Sequence, residues 1–284
     1  MMPDLLKSAI RVAVPRPLRN WLRSPSKSTQ WVWDASRFYL GSTETFHFPP
    51  DCTLTCHPRA YRVAQAQIAD PEQRREFQNF LHHCGGAMFL LDIGAHFGVF
   101  SLAAAHSGGK AIAIDPSPIA ARMIARQARL NHLTENIRII QAAVSSEGGD
   151  VDMLSSGVFS DGYFKIAHGR AKHELTRTHS ITIDQLVSQY GVPTHIKIDV
   201  EGHEAAVLGG GRKTLDHHSP VLFLELHNEM IASEGGDPNL ALDELSQLGY
   251  KTFTFDGNAL EKHAILTRPL IRLVARRVPA SVHL

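Results

Sequence analysis

The chain has almost no net charge and no long apolar run. Its 29 Lys and Arg stand against 28 Asp and Glu, a formal charge of +1, so no overall field draws it toward nucleic acid. No stretch approaches the ~18 consecutive apolar residues of a membrane span, and the start has no signal-peptide core with a cleavage site, so the sequence reads as cytoplasmic. Cysteine is scarce: Cys52, Cys56 and Cys84 are odd in number and form no repeated C-x-x-C pairs. That indicates neither a disulfide framework nor a zinc knuckle. Two nucleotide signatures are missing as well. Neither G-x-G-x-x-G nor G-x-x-x-x-G-K-[ST] occurs, which removes the dinucleotide fingerprint and the phosphate-cradling loop.

What is present centres on Met88 to Phe100, MFLLDIGAHFGVF. A short unbroken apolar run bounded by a turn suits a central parallel strand covered on both faces. Asp92 ends that strand, and Gly94 and Gly98 let the chain turn back sharply, so the spacing predicts a ligand lying against bare backbone amides. Such sites form outside the carboxyl ends of strands where strand order reverses. Downstream, strands at Ala111 to Ile114 and Ile137 to Ile140 alternate with helices at Val99 to His106 and Ile119 to His132. This is the pattern of right-handed βαβ units, hence an α/β fold with a parallel sheet and helices on both faces. Asp115, followed by Pro116, ends the second strand about twenty residues after the glycine turn, where an acid accepts ribose hydroxyls. It can equally cap the next helix.

A second signature is HIKIDVEGHE, His195 to Glu204. Asp199, Glu201 and Glu204 crowd three carboxylates at a strand tip, which is costly without a positive partner. Alternation turns Lys197 and Asp199 to the same strand face. The strand VLFLEL, Val221 to Leu226, brings Glu225 and His227 to the same edge. Asp199, Glu225 and His227 are then candidate ligands for a divalent metal. Glu201 or His227 is a candidate base, with Asp199 beside them, and an internal salt-bridge network is the third reading.

Around this core, residues 1 to 34 are basic and apolar, with Lys7, Arg11, Arg16, Arg19, Arg23 and Lys27 interleaved with Leu5, Ile10, Leu18 and Trp21. Such a segment suits a membrane surface or a protein partner, although Pro15 and Pro17 break any long helix. Residues 35 to 60 read as short β structure centred on Thr53 to Thr55. Asp70 caps a helix starting at Pro71. Val151 to His179 reads as a polar, β-like excursion carrying Ser155, Ser156, Ser160, Asp161, Arg170, Lys172 and Arg177. Gly249 to Gly257 and His263 to Thr267 read as a closing hairpin, and Arg268 to Arg277 as a basic tail.

The segments LLDIGAHFGVFSLAAA, AIDPSP, ITIDQLV, KIDVEGHE and LFLELH, in this order over roughly residues 88 to 267, resemble the FkbM family of S-adenosylmethionine-dependent methyltransferases. That resemblance implies a class I, Rossmann-like fold with a seven-stranded, mostly parallel sheet. It divides the chain into an N-terminal extension, 1 to 60, and a methyltransferase domain, 61 to 284. It also implies a cofactor pocket shaped by Asp92, Gly94, Ala95, Phe97 and Gly98, with Asp115 and Pro116 at the ribose. Ala143, Val144 and Ser145 would lie near the adenine, and Asp199 near the methionine end. The implied reaction is methylation of a hydroxyl on a polyketide, sugar or glycan. Ala95-His96-Phe97 departs from the commoner Ala-Asn-Ile, and the lysine that metal-dependent catechol-type enzymes carry after the fourth-strand acid is replaced by Gly202 and His203. A binding or scaffold protein on the same fold, and a methyltransferase for protein or nucleic acid, are the competing expectations. The sequence has no Asn-Pro-Pro-Tyr-like motif to favour nucleic acid.

Overall fold

The computed structural model describes residues 43–48, 52–155, 164–166 and 175–278. The basic amino-terminal segment, with Ser156, Ser160, Asp161, Arg170 and Lys172 of the excursion, lies outside the described residues. No helix among the described residues is long and apolar enough to cross a membrane.

The chain opens with an antiparallel ribbon, β1 (Glu44–Phe48) and β2 (Cys52–Cys56), then two helices, α1 (Pro58–Ala69) and α2 (Pro71–His83). Asp70 caps α2 as its spacing predicts, accepting from the amides of Glu72 and Gln73 at 3.0 and 2.9 Å. Alternation follows: β3 (Phe89–Ile93), α3 (Val99–His106), β4 (Lys110–Ile114), α4 (Pro118–Leu130) and β5 (Ile137–Ile140). The excursion is β6 (Ala143–Val144), β7 (Gly149–Ser155), β8 (Phe164–Ile166) and β9 (Leu175–Ile181), which pair as a separate four-stranded sheet. The chain returns through α5 (Ile183–Tyr190), β10 (His195–Ile198), α6 (Glu204–Gly209), α7 (Arg212–His218) and β11 (Val221–Leu226). It ends with α8 (Asn228–Ser233), α9 (Asn239–Gln247), β12 (Tyr250–Phe253), α10 (Lys262–Leu266) and β13 (Ile271–Arg277).

The main sheet has seven strands in the order β12-β13-β11-β10-β3-β4-β5. The five strands β11, β10, β3, β4 and β5 are parallel, and β13 runs antiparallel to both of its neighbours. Chain order reverses between β3 and β10, so their carboxyl ends open a crevice. Successive residues face opposite sides. Leu91, Ile93, Ile196, Ile198, Leu222 and Leu224 build one apolar layer with α5, α7 and α9. Leu90, Ala111, Ala113 and Phe223 build the other with α2 and α3. The ribbon belongs to this second layer through Phe46, Phe48 and Leu54, and Asn131, which caps the carboxyl end of α4, locks it by bonding the amide and carbonyl of Thr55 at 2.7 and 2.9 Å.

Two expectations fail. Helix α1 was not foreseen, and the closing strand is not His263 to Thr267, which coils as α10, but Ile271–Arg277, read from sequence as a tail. In that strand Ile271, Leu273 and Ala275 enter one apolar layer and Val274 the other. The arginines are committed too. Arg272 is buried in ion pairs, Arg276 lies over the Phe253 ring at 4.8 Å, and Arg277 pairs with Asp216 at 2.7 Å.

Candidate active site

A cleft of about 780 Å³ opens over the crevice. Its floor is the turn after β3 and the tips of β4, β10 and β11. Its walls come from Val63, Ala66, Gln67 and Gln73 of the first two helices and from Ala142, Ala143, Val144 and Met153.

The glycine turn is built differently from its sequence reading. The amides of Gly94 and Ala95 both donate to the Ile114 carbonyl, at 2.9 and 3.1 Å, and that of Gly98 donates to Ala95 at 2.7 Å. The first two donors are therefore spent on holding β3 to β4, and the third on closing the turn itself. Gly94 has φ +78°, and a methyl group there would sit 1.8 Å from the Asp199 carbonyl oxygen. Gly98 has φ +79°, and a methyl group there would sit 2.9 Å from Ile124. Both glycines serve close approach between elements. Phe97 lines the cleft but is core: it is 1% exposed, packs with Ala60 and Met123, and stacks on His96 at 4.1 Å.

Asp92 is equally internal. One oxygen accepts from the amide and hydroxyl of Ser101 at 3.1 and 2.6 Å, tying strand to helix, and burial holds its pKa above the usual carboxylate range. Asp115 lines the cleft with Ala95 and Pro116. Its two oxygens accept from the amides of His96 and Ser117, each at 2.8 Å, so the carboxylate braces the turn after β3 against the start of α4, whose cap is Ser117 itself, and each oxygen keeps a second lone pair. Burial pushes its pKa up to about 7 against the pull of those two bonds. Ala143 and Val144 border the cleft, whereas Ser145 does not; its hydroxyl hydrogen-bonds with His203 Nε2 at 2.9 Å.

At the other end the chain bends sharply after β10, with Glu201 at φ +52° and Gly202 at φ +96°. This kink brings Asp199, Glu201 and His227 together. His227 Nε2 faces Glu201 Oε2 at 3.6 Å and Asp199 Oδ1 at 3.8 Å. Behind it, His227 Nδ1 meets Glu204 Oε1 at 2.7 Å, and that oxygen also accepts from the Gly202 amide at 3.0 Å. Burial opposes charge on His227, but the bond and charge of Glu204, with Asp199 and Glu201, raise its pKa on balance. The pKa of Asp199 is raised well above normal, first by burial and then by the charge of Glu225, although 31% of its side chain opens to the cleft. Glu204, fully buried, has a role that sequence reasoning missed; the signal was its place as third carboxylate in DVEGHE.

Glu225 corrects the expected ligand set. It turns into a buried network instead, bonding Lys197 Nζ at 2.9 Å and Arg272 Nη2 at 2.8 Å. Burial disfavours its charge, yet these two cations hold its pKa down to about 2. Lys197 also meets Glu76 of α2 at 3.3 Å and Asp199 at 3.9 Å, and lies over the Phe100 ring at 5.2 Å. Burial and neighbouring Glu225 lift Glu76 to about 7 against the pull of Lys197 and Arg272. Glu201 takes the place at the cluster that had been expected of Glu225.

Residues 92–252 match the family model described as "Methyltransferase FkbM domain". No curated protein matches the chain. Among solved structures the chain is similar to the methyltransferase FkbM from Methylobacillus flagellatus KT, at 15% identity over 77% of this chain and 58% of that one, with a TM-score of 0.45. The chain thus spans well under two thirds of that protein's length. It is also similar to the O-methyltransferase from Bacillus cereus in complex with SAH, at 13% identity over 87% of this chain and 99% of that one, with a TM-score of 0.45.

Proposed function

The chain belongs to the FkbM methyltransferase family, and from that premise we propose that it transfers the methyl group of S-adenosylmethionine to a hydroxyl of a sugar, glycan or polyketide-type small molecule. The observation that carries the reading is the division of the cleft. Asp115 at the β4 tip and the apolar wall Ala142 to Val144 with Met153 stand at one end, and Glu201 and His227, beyond the tips of β10 and β11, at the other. The first end suits a nucleoside: the apolar wall takes the adenine, and the spare lone pairs of Asp115 take the ribose hydroxyls. The second end suits the reacting atoms. Asp199, at the strand tip between the two, faces the positively charged methionine portion, because a carboxylate favours an ammonium or sulfonium close by. The acceptor oxygen enters from the Glu201 and His227 side, in line with the sulfonium methyl. The methyl passes from sulfur to oxygen while the hydroxyl gives up its proton at that cluster, leaving methylated product, S-adenosylhomocysteine and a proton. Holding the two reactants in line supplies much of the acceleration.

Calorimetry tests the donor half. S-adenosylmethionine should bind the purified chain, S-adenosylhomocysteine should compete, and Asp115→Ala should weaken both by about tenfold or more, the worth of one to two good hydrogen bonds. Absence of heat with either compound would leave a binding or scaffold protein as the better account.

A further inference from the structure

We propose that Asp199, Glu201 and His227 bind a divalent first-row transition-metal cation at the cleft floor, and that the acceptor hydroxyl docks on that cation. The inference rests on the methyl-transfer reading for its use, but its evidence is separate. Each of the three side chains brings one ligand atom, and these atoms all lie within 4.8 Å of one another.

His227 supplies the second observation. It is 8% exposed, and its Nδ1 is occupied by Glu204 at 2.7 Å. Its Nε2 points into the cluster and meets the nearest oxygens only at 3.6 and 3.8 Å. An imidazolium bonded to carboxylates closes to about 2.7–2.9 Å, as Nδ1 does with Glu204. The stand-off at Nε2 fits two ligand atoms sharing an ion: with bonds of about 2.2 Å, these separations subtend roughly 110–120° at the metal. A buried carboxylate holding the far nitrogen of a ligating histidine is the usual support for such a site, and Glu204 is that carboxylate.

The donor set selects the ion. One imidazole with two carboxylates suits manganese, iron or zinc better than magnesium or calcium, which take all-oxygen shells. Two ionised acids and a neutral imidazole balance a charge of +2. Three protein ligands leave positions open on the cleft side, as sites that act on substrate do. An acceptor hydroxyl bound there becomes more acidic and releases its proton to solvent in the cleft as the methyl arrives.

The test uses the full chain dialysed against EDTA and titrated with Mn2+, bound ion being read by electron paramagnetic resonance. Wild type should take up one Mn2+ per chain. Glu201→Gln and His227→Gln should abolish that uptake, and Glu204→Gln should weaken it by about 10–100-fold, while Lys213→Ala, on the exposed face of α7, binds as wild type does. S-adenosylmethionine binding, measured in parallel on each variant, reports that the cleft is still folded. No Mn2+ uptake by wild type, or equal uptake by the Glu201 and His227 variants, overturns the proposal; with methyl-donor binding intact it leaves His227 as a metal-free base. Mn2+ uptake without methyl-donor binding supports the cation site and sinks the methyltransferase reading instead.

Discussion

Replacing Gly94 by alanine tests whether the glycine turn is there for the ligand or for the sheet. The new methyl group would stand 1.8 Å from the Asp199 carbonyl oxygen. Relief requires the two strand ends to part by more than about 1 Å, since nonbonded carbon and oxygen rest above 3 Å apart. The positive φ adds about 1 kcal/mol for any residue with a Cβ. Asp199 N–H is bonded to the Ile93 carbonyl at 3.0 Å, so parting the tips strains that bond and shifts Asp199 relative to Asp115. A displacement of about 1 Å at reacting groups costs on the order of 100-fold in rate, and the expected result is a loss of that size in turnover together with a lowered melting temperature. Gly85→Ala, whose added methyl meets nothing within 4 Å, should change neither. Thermal melts, calorimetric titration with S-adenosylmethionine and single-turnover rates separate the outcomes. A Gly94→Ala protein with unchanged melting temperature but weakened cofactor binding would show that the glycine serves ligand approach after all. Wild-type behaviour in all three would refute the close-contact reasoning entirely.

Lys197→Met should destabilise the chain by about 3–5 kcal/mol, because it strips the cation from a buried group of acids; a loss under about 1 kcal/mol in urea melts would mean that Arg272 alone neutralises Glu225. His195, whose pKa burial and His83 depress to about 4, bonds His83 at 3.0 Å where α2 meets β10. Its neutral form is favoured in the folded chain, so its stability contribution is complete above about 6.5 and drains away between there and about 4. Partial exposure limits the loss to about 1–2 kcal/mol, and His195→Gln should flatten that limb of the stability profile. Asp115, lifted to about 7, should bind methyl donor more tightly as pH rises from 6 to 8, by up to about tenfold; the slope should vanish in Asp115→Asn.

The buried strands were legible because each is short, apolar and punctuated by an acid or glycine at its tip. Asp92, Asp115 and Asp199 all stand at strand ends in the structure for that reason. Helix α1 was hidden by its own chemistry. Its cap is His57, whose ring accepts from the Arg59 amide, and its buried stripe, Ala60 and Ala64, is too small to read as apolar. Strand β13 was hidden by its arginines. That omission led to the next: without β13 there was no Arg272 opposite Glu225, so Glu225 looked free to hold a metal. Register, which only the fold supplies, decided between two glutamates two dozen residues apart.

Glu76 crosses a boundary that the family match does not. The matched segment begins at residue 92, yet the cation under the β10 tip finds one of its counter-charges on α2, sixteen residues upstream of that start. The edge of the recognisable domain is therefore not the edge of its electrostatics. A chain whose amino end were trimmed as far as Ala87 would keep every motif residue and lose an acid that Lys197 and Arg272 are both buried against, leaving those two cations one counter-charge short. Grafting the motifs of this site into a relative would need that upstream carboxylate, or a lysine-free strand, to travel with them.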